Sequence, residues 1–225
     1  MQQHLASVGI LVDALDHDLR NAVNVIKTAD FYLRTRLGEA DPRLLRQLEL
    51  IDNGCNSAVK LLQDLIEYAH SPAPSLNPDT PLAAVNAAVQ DCGPDRSRIT
   101  VQCDDDLTPA PMDNQYVKLA VRKLLQRALH GSPAGAPLRV HIRQAPGAIE
   151  IAVEDRAPTL PEAQREAFAL ATSGKSGPRP SNLPMALVSE IVKLHGGSAR
   201  CEPLIEDGTE GGSRMIITLY EAGHP

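Results

Sequence analysis

His17 stands in Asp16-His17-Asp18-Leu19-Arg20-Asn21-Ala22-Val23, with a carboxylate directly after it and an amide one helical turn further on. A neutral imidazole nitrogen can attack a phosphoryl group in line. The phosphoramidate that forms is energy-rich and transferable. Asp18 is placed to orient the ring or to accept its proton. The six other histidines fall into no comparable arrangement, and no role is assigned to them.

The elements that must position this group are legible as apolar periodicity. Leu5, Val8, Val12, Leu15, Leu19, Ala22, Ile26, Ala29 and Leu33 form an unbroken heptad seam. After Gly38-Glu39-Ala40-Asp41-Pro42, a second seam runs through Leu44, Leu48, Ile51, Cys55, Ala58, Leu62, Leu65 and Ala69. Asp41 suits an N-cap and Pro42 a first helical turn. The short break predicts an antiparallel helical hairpin over residues 1–70. Each helix would be about 45 Å long and would leave an apolar stripe uncovered. A second copy would cover it, so the expectation is a homodimer through residues 1–70 and a four-helix bundle. The alternative is that the hairpin packs on the rest of its own chain. His17 lies about 200° around the helix from Leu15 and Leu19, which predicts that it faces solvent. Asn21 falls on the same face, with Asp13 and Asn24 near it.

Composition bounds the function classes. A net charge of −6 argues against a nucleic-acid binder. The absence of Trp, with only two Phe, argues against stacking on bases or sugars. No apolar run approaches the roughly 20 residues that span a bilayer, and no signal-peptide pattern is present. Cys55, Cys92, Cys103 and Cys201 are scattered, which reads as reduced thiols in a cytoplasmic protein.

Ser71–Pro81 carries four prolines and reads as a linker between two domains, with the second domain at 82–225. Beyond it, helices are expected at Leu82–Gln90, Asn114–His130 and Asn182–Leu194. Strands are expected at Ile99–Cys103, Leu138–Arg143, Ala148–Glu154 and Arg214–Leu219. The fold class is α+β, with helices on one face of a mixed sheet.

His17-Asp18-Leu19-Arg20-Asn21-Ala22-Val23 resembles the phosphoacceptor box of dimeric histidine kinases; Ala22 and Val23 depart mildly from the usual Pro-Leu. The resemblance implies that Asn21 helps place a water for dephosphorylating a partner aspartate, as an amide can. Ala110-Pro111-Met112-Asp113, Val153-Glu154-Asp155 and Ile191-Val192-Lys193-Leu194-His195-Gly196-Gly197 resemble the ATP-binding domain of the same family, the fold shared with gyrase-type and heat-shock ATPases. This second resemblance covers about residues 81–221. It implies a receiver domain of a response regulator as partner, or another histidine kinase, and Asp155 as the adenine reader.

Several positions of that ATP site are altered. Lys123 and Arg127 stand where an asparagine pair would hold Mg²⁺ and phosphate, and arginine cannot be a metal ligand. Asp155-Arg156-Ala157-Pro158-Thr159 and Asn182-Leu183-Pro184-Met185 replace two glycine boxes whose backbone N–H groups approach phosphates. The expectation drawn is that ATP and Mg²⁺ binding are lost and Asp155 is vestigial, paired with Arg127 or Arg156. Lys123 or Arg127 would fill the vacated space. Ser173-Gly174-Lys175-Ser176 resembles the end of a P-loop, but Ala169 replaces the required glycine. Ala171–Ser181 reads as a shortened lid or polar loop. The function expected is a histidine phosphotransferase, His17 taking a phosphoryl group from one receiver aspartate and giving it to another. The alternatives are a non-enzymatic binding module, phosphatase-assisting at most, and an atypical active histidine kinase. With no sensor region ahead of the hairpin, input is expected from a partner protein.

Overall fold

In the computed structural model the chain divides into two compact units, Met1–Ala73 and Pro74–Pro225. The structure describes residues 2–37, 42–70, 74–172, 183–206 and 209–223. The side chains of residues 2–18, 37, 42, 61, 64, 65, 67–70, 206, 209 and 210 lie outside that description. The Asp41 cap and residues 173–182, with the P-loop-like stretch and most of the expected lid, also lie outside it.

The first unit is two helices, α1 (Gln2–Leu37) and α2 (Pro42–His70). Their mutual contact does not use the α1 heptad seam. The less exposed stripe of α1 is Arg20, Val23, Lys27, Asp30 and Arg34, one residue or about 100° around from the seam. The α2 stripe that meets it carries Leu45, Leu48, Asp52, Cys55, Val59, Leu62 and Ile66. Polar groups on the α1 side find partners: Arg34 Nε donates to Asp30 Oδ2 at 2.7 Å, and Lys27 Nζ to Asn56 Oδ1 at 2.5 Å. Leu19, Ile26 and Leu33 of the seam, with Leu44 and Ile51 of α2, remain 43–46% exposed.

The second unit is an α+β sandwich. Its five-stranded sheet runs β2-β4-β5-β7-β6, where β2 is Ile99–Cys103, β4 Leu138–Ala145, β5 Ala148–Asp155, β6 Ser198–Glu206 and β7 Thr209–Tyr220. The β2–β4 pair is parallel and the others antiparallel, so the sheet is mixed. Among the described residues four α-helices accompany it: α3 (Leu82–Gln90), α4 (Asn114–Gly131), α5 (Glu162–Thr172) and α6 (Leu183–Leu194). Leu138, Val140, Ile142, Ile149, Ile151, Val153, Met215 and Ile217 are essentially inaccessible and form the core. The other face of the sheet is charged. Glu154 pairs with Arg214, and Glu150 lies 3.1 Å from Arg143 and 2.9 Å from Arg200. Burial alone would raise the Glu150 carboxyl, but hydrogen bonds and charge from Arg200 and Arg143 hold it below its ordinary range.

Part of the proline-rich segment docks on this unit. Asn77–Asp79 forms β1 and pairs antiparallel with β3 (Ala110–Met112), Pro78 opposite Pro111. Proline lacks a donor, which limits such a pair to a short two-stranded ribbon. Asn114 Nδ2 donates to Asp79 Oδ2 at 2.6 Å, and the Ser75 N–H to Asp113 Oδ2 at 3.0 Å. These bonds tie the segment to the start of α4.

Candidate functional site

His17 and Asp18 lie mid-way along α1, in uninterrupted helix; their side chains fall outside the described residues. Asn21, one turn on, is exposed. Next along the helix is a polar groove of about 420 Å³ between α1 and α2, whose lining includes Arg20, Asn24, Lys27, Asn56, Lys60 and Gln63. Three cations and three amides make it a surface suited to an anionic partner.

In the second unit the chemistry gathers at the C-terminal end of β5. Asp155 is 2% exposed. Its Oδ1 accepts from the Ala157 N–H at 2.8 Å and from Ser213 Oγ at 2.9 Å. Its Oδ2 accepts from Arg127 Nη1 at 2.9 Å. Burial pushes the carboxyl above its ordinary range; the Arg127 charge and the bonds from Ser213 and Ala157 pull it back without cancelling the rise. Of the two partners expected for Asp155 the structure selects Arg127; Arg156 instead donates to the Gly211 carbonyl at 3.2 Å. Arg127 also donates to Ser213 Oγ at 3.0 Å and to the Pro158 carbonyl at 3.2 Å. Lys123, one turn earlier on α4, is 1% exposed and donates to Gln126 Oε1 at 2.9 Å.

The site is held by close backbone packing. β7 meets the end of β5 at Gly212, where an added Cβ would stand 1.8 Å from the Asp155 carbonyl oxygen. Only glycine permits that approach, and it sets Ser213 against the carboxylate. Behind the site, His195 joins α6 to the start of α4. Its Nδ1 lies 2.7 Å from the Ile191 carbonyl oxygen, and its Nε2 accepts from the Asp113 N–H at 3.1 Å. Asp113 in turn caps α4 by accepting from the Gln115 N–H at 3.0 Å. Ser213 escaped the sequence reading, and His195 entered it only within the Ile191–Gly197 motif, with no role of its own. The Gly211-Gly212 pair before Ser213 is the one local signal that a close approach was needed there.

Whether these residues fit a nucleotide can be judged from the donors present. A buried carboxylate backed by a hydroxyl is a suitable reader of a base amine. Among the described residues no group of three or more His, Cys, Asp or Glu could hold a metal ion. Magnesium on a nucleotide needs no such cage, since phosphates, waters and one or two protein groups complete its shell. The base end therefore carries the acceptor that a base amine needs.

Comparison with known proteins agrees. Residues 112–223 match the family described as histidine kinase-, DNA gyrase B- and HSP90-like ATPase. The signal transduction histidine-protein kinase/phosphatase MprB of Mycolicibacterium paratuberculosis is 27% identical over 95% of this chain, which spans 44% of that relative's length. The alginate biosynthesis sensor protein KinB of Pseudomonas aeruginosa is 26% identical over 83% of the chain and 33% of its own length. Among solved structures, histidine kinase ThkA in complex with response regulator TrrA superposes with a TM-score of 0.61 at 16% identity, over 98% of this chain and 64% of that one. Full-length ShkA in complex with AMPPNP gives 0.58 at 15%, over 96% and 47%. At these identities the structural likenesses establish the fold.

Two expectations are thereby corrected. The reading of a phosphotransferase without ATP binding is overturned: the comparisons point to a histidine kinase catalytic ATPase domain. The expectation that ATP and Mg²⁺ binding are lost falls with it, against an ATPase-family match and an AMPPNP-bound neighbour. That expectation weighed the two altered glycine boxes, while the Asp155 carboxylate and Ser213 lie together at the ends of two paired strands. Among the described residues no helix is long and apolar enough to cross a membrane. Residues 112–223 are thus a domain of the histidine kinase-, gyrase B- and HSP90-like ATPase family, and the chain is a histidine kinase-like protein of two-component signal transduction.

Proposed function

We propose that the chain is the kinase portion of a two-component system, its second unit binding ATP and its helical hairpin carrying the phosphoacceptor His17. The observation that carries the reading is the buried Asp155–Ser213 pair at the end of β5, inside the stretch that matches the ATPase family. Bound ATP would supply the phosphoryl group. Asp155 would accept a hydrogen bond from the base, with Ser213 fixing the carboxylate. His17 would attack the γ-phosphorus through a neutral ring nitrogen, the bond to the β-phosphate oxygen breaking and ADP leaving, with Asp18 taking or steering the ring proton and a phosphoramidate as product. Asn21 would position water against the phosphorylated aspartate of a receiver domain, giving a phosphatase activity that the names of the MprB relatives also carry.

The hairpin would act as a homodimer through residues 1–70. Support comes from the seam of Leu19, Ile26 and Leu33, which the chain's own α2 leaves exposed and a second copy would bury in a four-helix bundle. The cationic groove next to the His17 turn suits the acidic aspartate-bearing face of a response-regulator receiver. We place the protein in the cytoplasm, where such a partner would meet it. A calorimetric titration of Mg-ATP, with Asp155→Ala as control, tests the reading. Saturable binding lost in the variant supports it, and heat no different from dilution in the wild-type chain overturns it.

A further inference from the structure

Arg127 occupies the base end of the site in a way that serves the closed structure. Its side chain is 16% exposed, and its guanidinium joins α4 to the end of β5 at Asp155, the following loop at the Pro158 carbonyl, and β7 at Ser213. The Asp155 side chain that it covers is completely inaccessible. A carboxylate can read a base amine only with a free acceptor site facing it, and here a cation with its own donors stands against Oδ2.

We propose that Arg127 is a latch on the nucleotide site: its fork onto Asp155, Ser213 and the Pro158 carbonyl holds the base pocket shut, and a nucleotide binds only after the guanidinium has swung away. The inference rests on the nucleotide-binding reading above and adds a regulatory contact to it. The closed state lowers apparent affinity by the fraction of molecules that are open. Any partner that draws Arg127 off Asp155 would raise ATP affinity without touching ATP. The device replaces a neutral amide position with a switchable charge, and it accounts for an arginine pointing into a site that otherwise keeps its base-reading carboxylate.

The test is equilibrium titration of adenosine and of Mg-ATP into the full chain and into Arg127→Gln. Glutamine can still donate one hydrogen bond to Asp155, so the carboxylate is not left bare. Arg127→Lys, which keeps the charge but loses the fork, is the second variant, and each melting curve reports whether the variant is folded. The latch predicts a gain of tenfold or more for adenosine and ATP alike in Arg127→Gln, with Arg127→Lys between. Unchanged affinity, or a loss for ATP with adenosine unaffected, overturns it, the latter assigning Arg127 to the phosphates. Absence of binding to every chain at millimolar ligand would instead remove the nucleotide reading itself, and the latch with it.

Discussion

Replacing Gly212 by alanine should damage the fold and the candidate site together. The new Cβ would fall 1.8 Å from the Asp155 carbonyl oxygen and 2.9 Å from its carbonyl carbon, so backbone must move. Gly212 precedes Ser213, which pairs with Asp155 in the last rung of the β5–β7 ladder. A shift of about 1 Å or more there stretches the Ser213–Asp155 bond of 2.9 Å and the Arg127–Ser213 bond of 3.0 Å beyond useful length. Overpacking of this kind costs about 1–3 kcal/mol, and two hydrogen bonds add about 1 kcal/mol each. The sum, about 3–5 kcal/mol, lowers the melting temperature of a unit this size by about 10 °C. Differential scanning calorimetry reads the first effect and ATP titration the second, with an expected loss of at least tenfold in affinity, because a loosened Arg127 does not restore a base acceptor that has itself been displaced. Gly197→Ala is the control: its Cβ would press on the Thr218 carbonyl at 2.2 Å, away from Asp155. It should destabilise while sparing nucleotide affinity in the folded fraction. A Gly212→Ala protein that melts and binds ATP like wild type would refute the packing of β7 on the end of β5.

Other outcomes follow from the same contacts. His195→Ala deletes the bond from the Asp113 N–H that ties α6 to the α4 cap, together with the ring's own bond to the Ile191 carbonyl, and opens a cavity beside Tyr116, for a loss of about 2–4 kcal/mol in urea unfolding. Asp91 is held below its ordinary pKa by a hydrogen bond from Lys118 at 2.9 Å, with Arg122 adding to it. A lowered carboxylate stabilises above its unfolded pKa and loses that contribution as pH falls through the folded one. Asp91→Asn should therefore be less stable than wild type at neutral pH, by at most about 1 kcal/mol, with the gap closing below about pH 4. Ile26→Lys places a charge in the exposed α1 seam; light scattering should show dimer turned to monomer, and a monomeric wild-type chain would remove the bundle proposal.

What was legible in the sequence follows from which forces act locally. The boundaries of α3, β2 and α4 follow from apolar periodicity and flanking caps, and the structure places them within a residue of that reading. β1 and β3 are three residues each with a central proline, too short and too poor in β-formers to signal themselves. β6 is interrupted by Pro203 and shows irregular register beyond Leu204. On α1 the apolar seam was plain, but the stripe that meets α2 carries Arg20, Lys27, Asp30 and Arg34, which no hydrophobic pattern selects. At the site, the Arg127–Asp155 pair was anticipated from charge and position. Ser213 was not, because a lone serine gains meaning only through the strand pairing that brings it to Asp155. The expectation that ATP binding is lost rested on the altered motif residues, and the match of residues 112–223 to the ATPase family runs against it.

The most direct measurement is incorporation of phosphate from [γ-³²P]ATP into the purified chain, run beside His17→Gln and Asp155→Ala and followed by addition of a receiver domain. The account predicts an acid-labile label in the wild-type chain, absent from both variants and passed to the receiver. Label that persists in His17→Gln, or a wild-type chain labelled by a phosphorylated receiver but never by ATP, would contradict it.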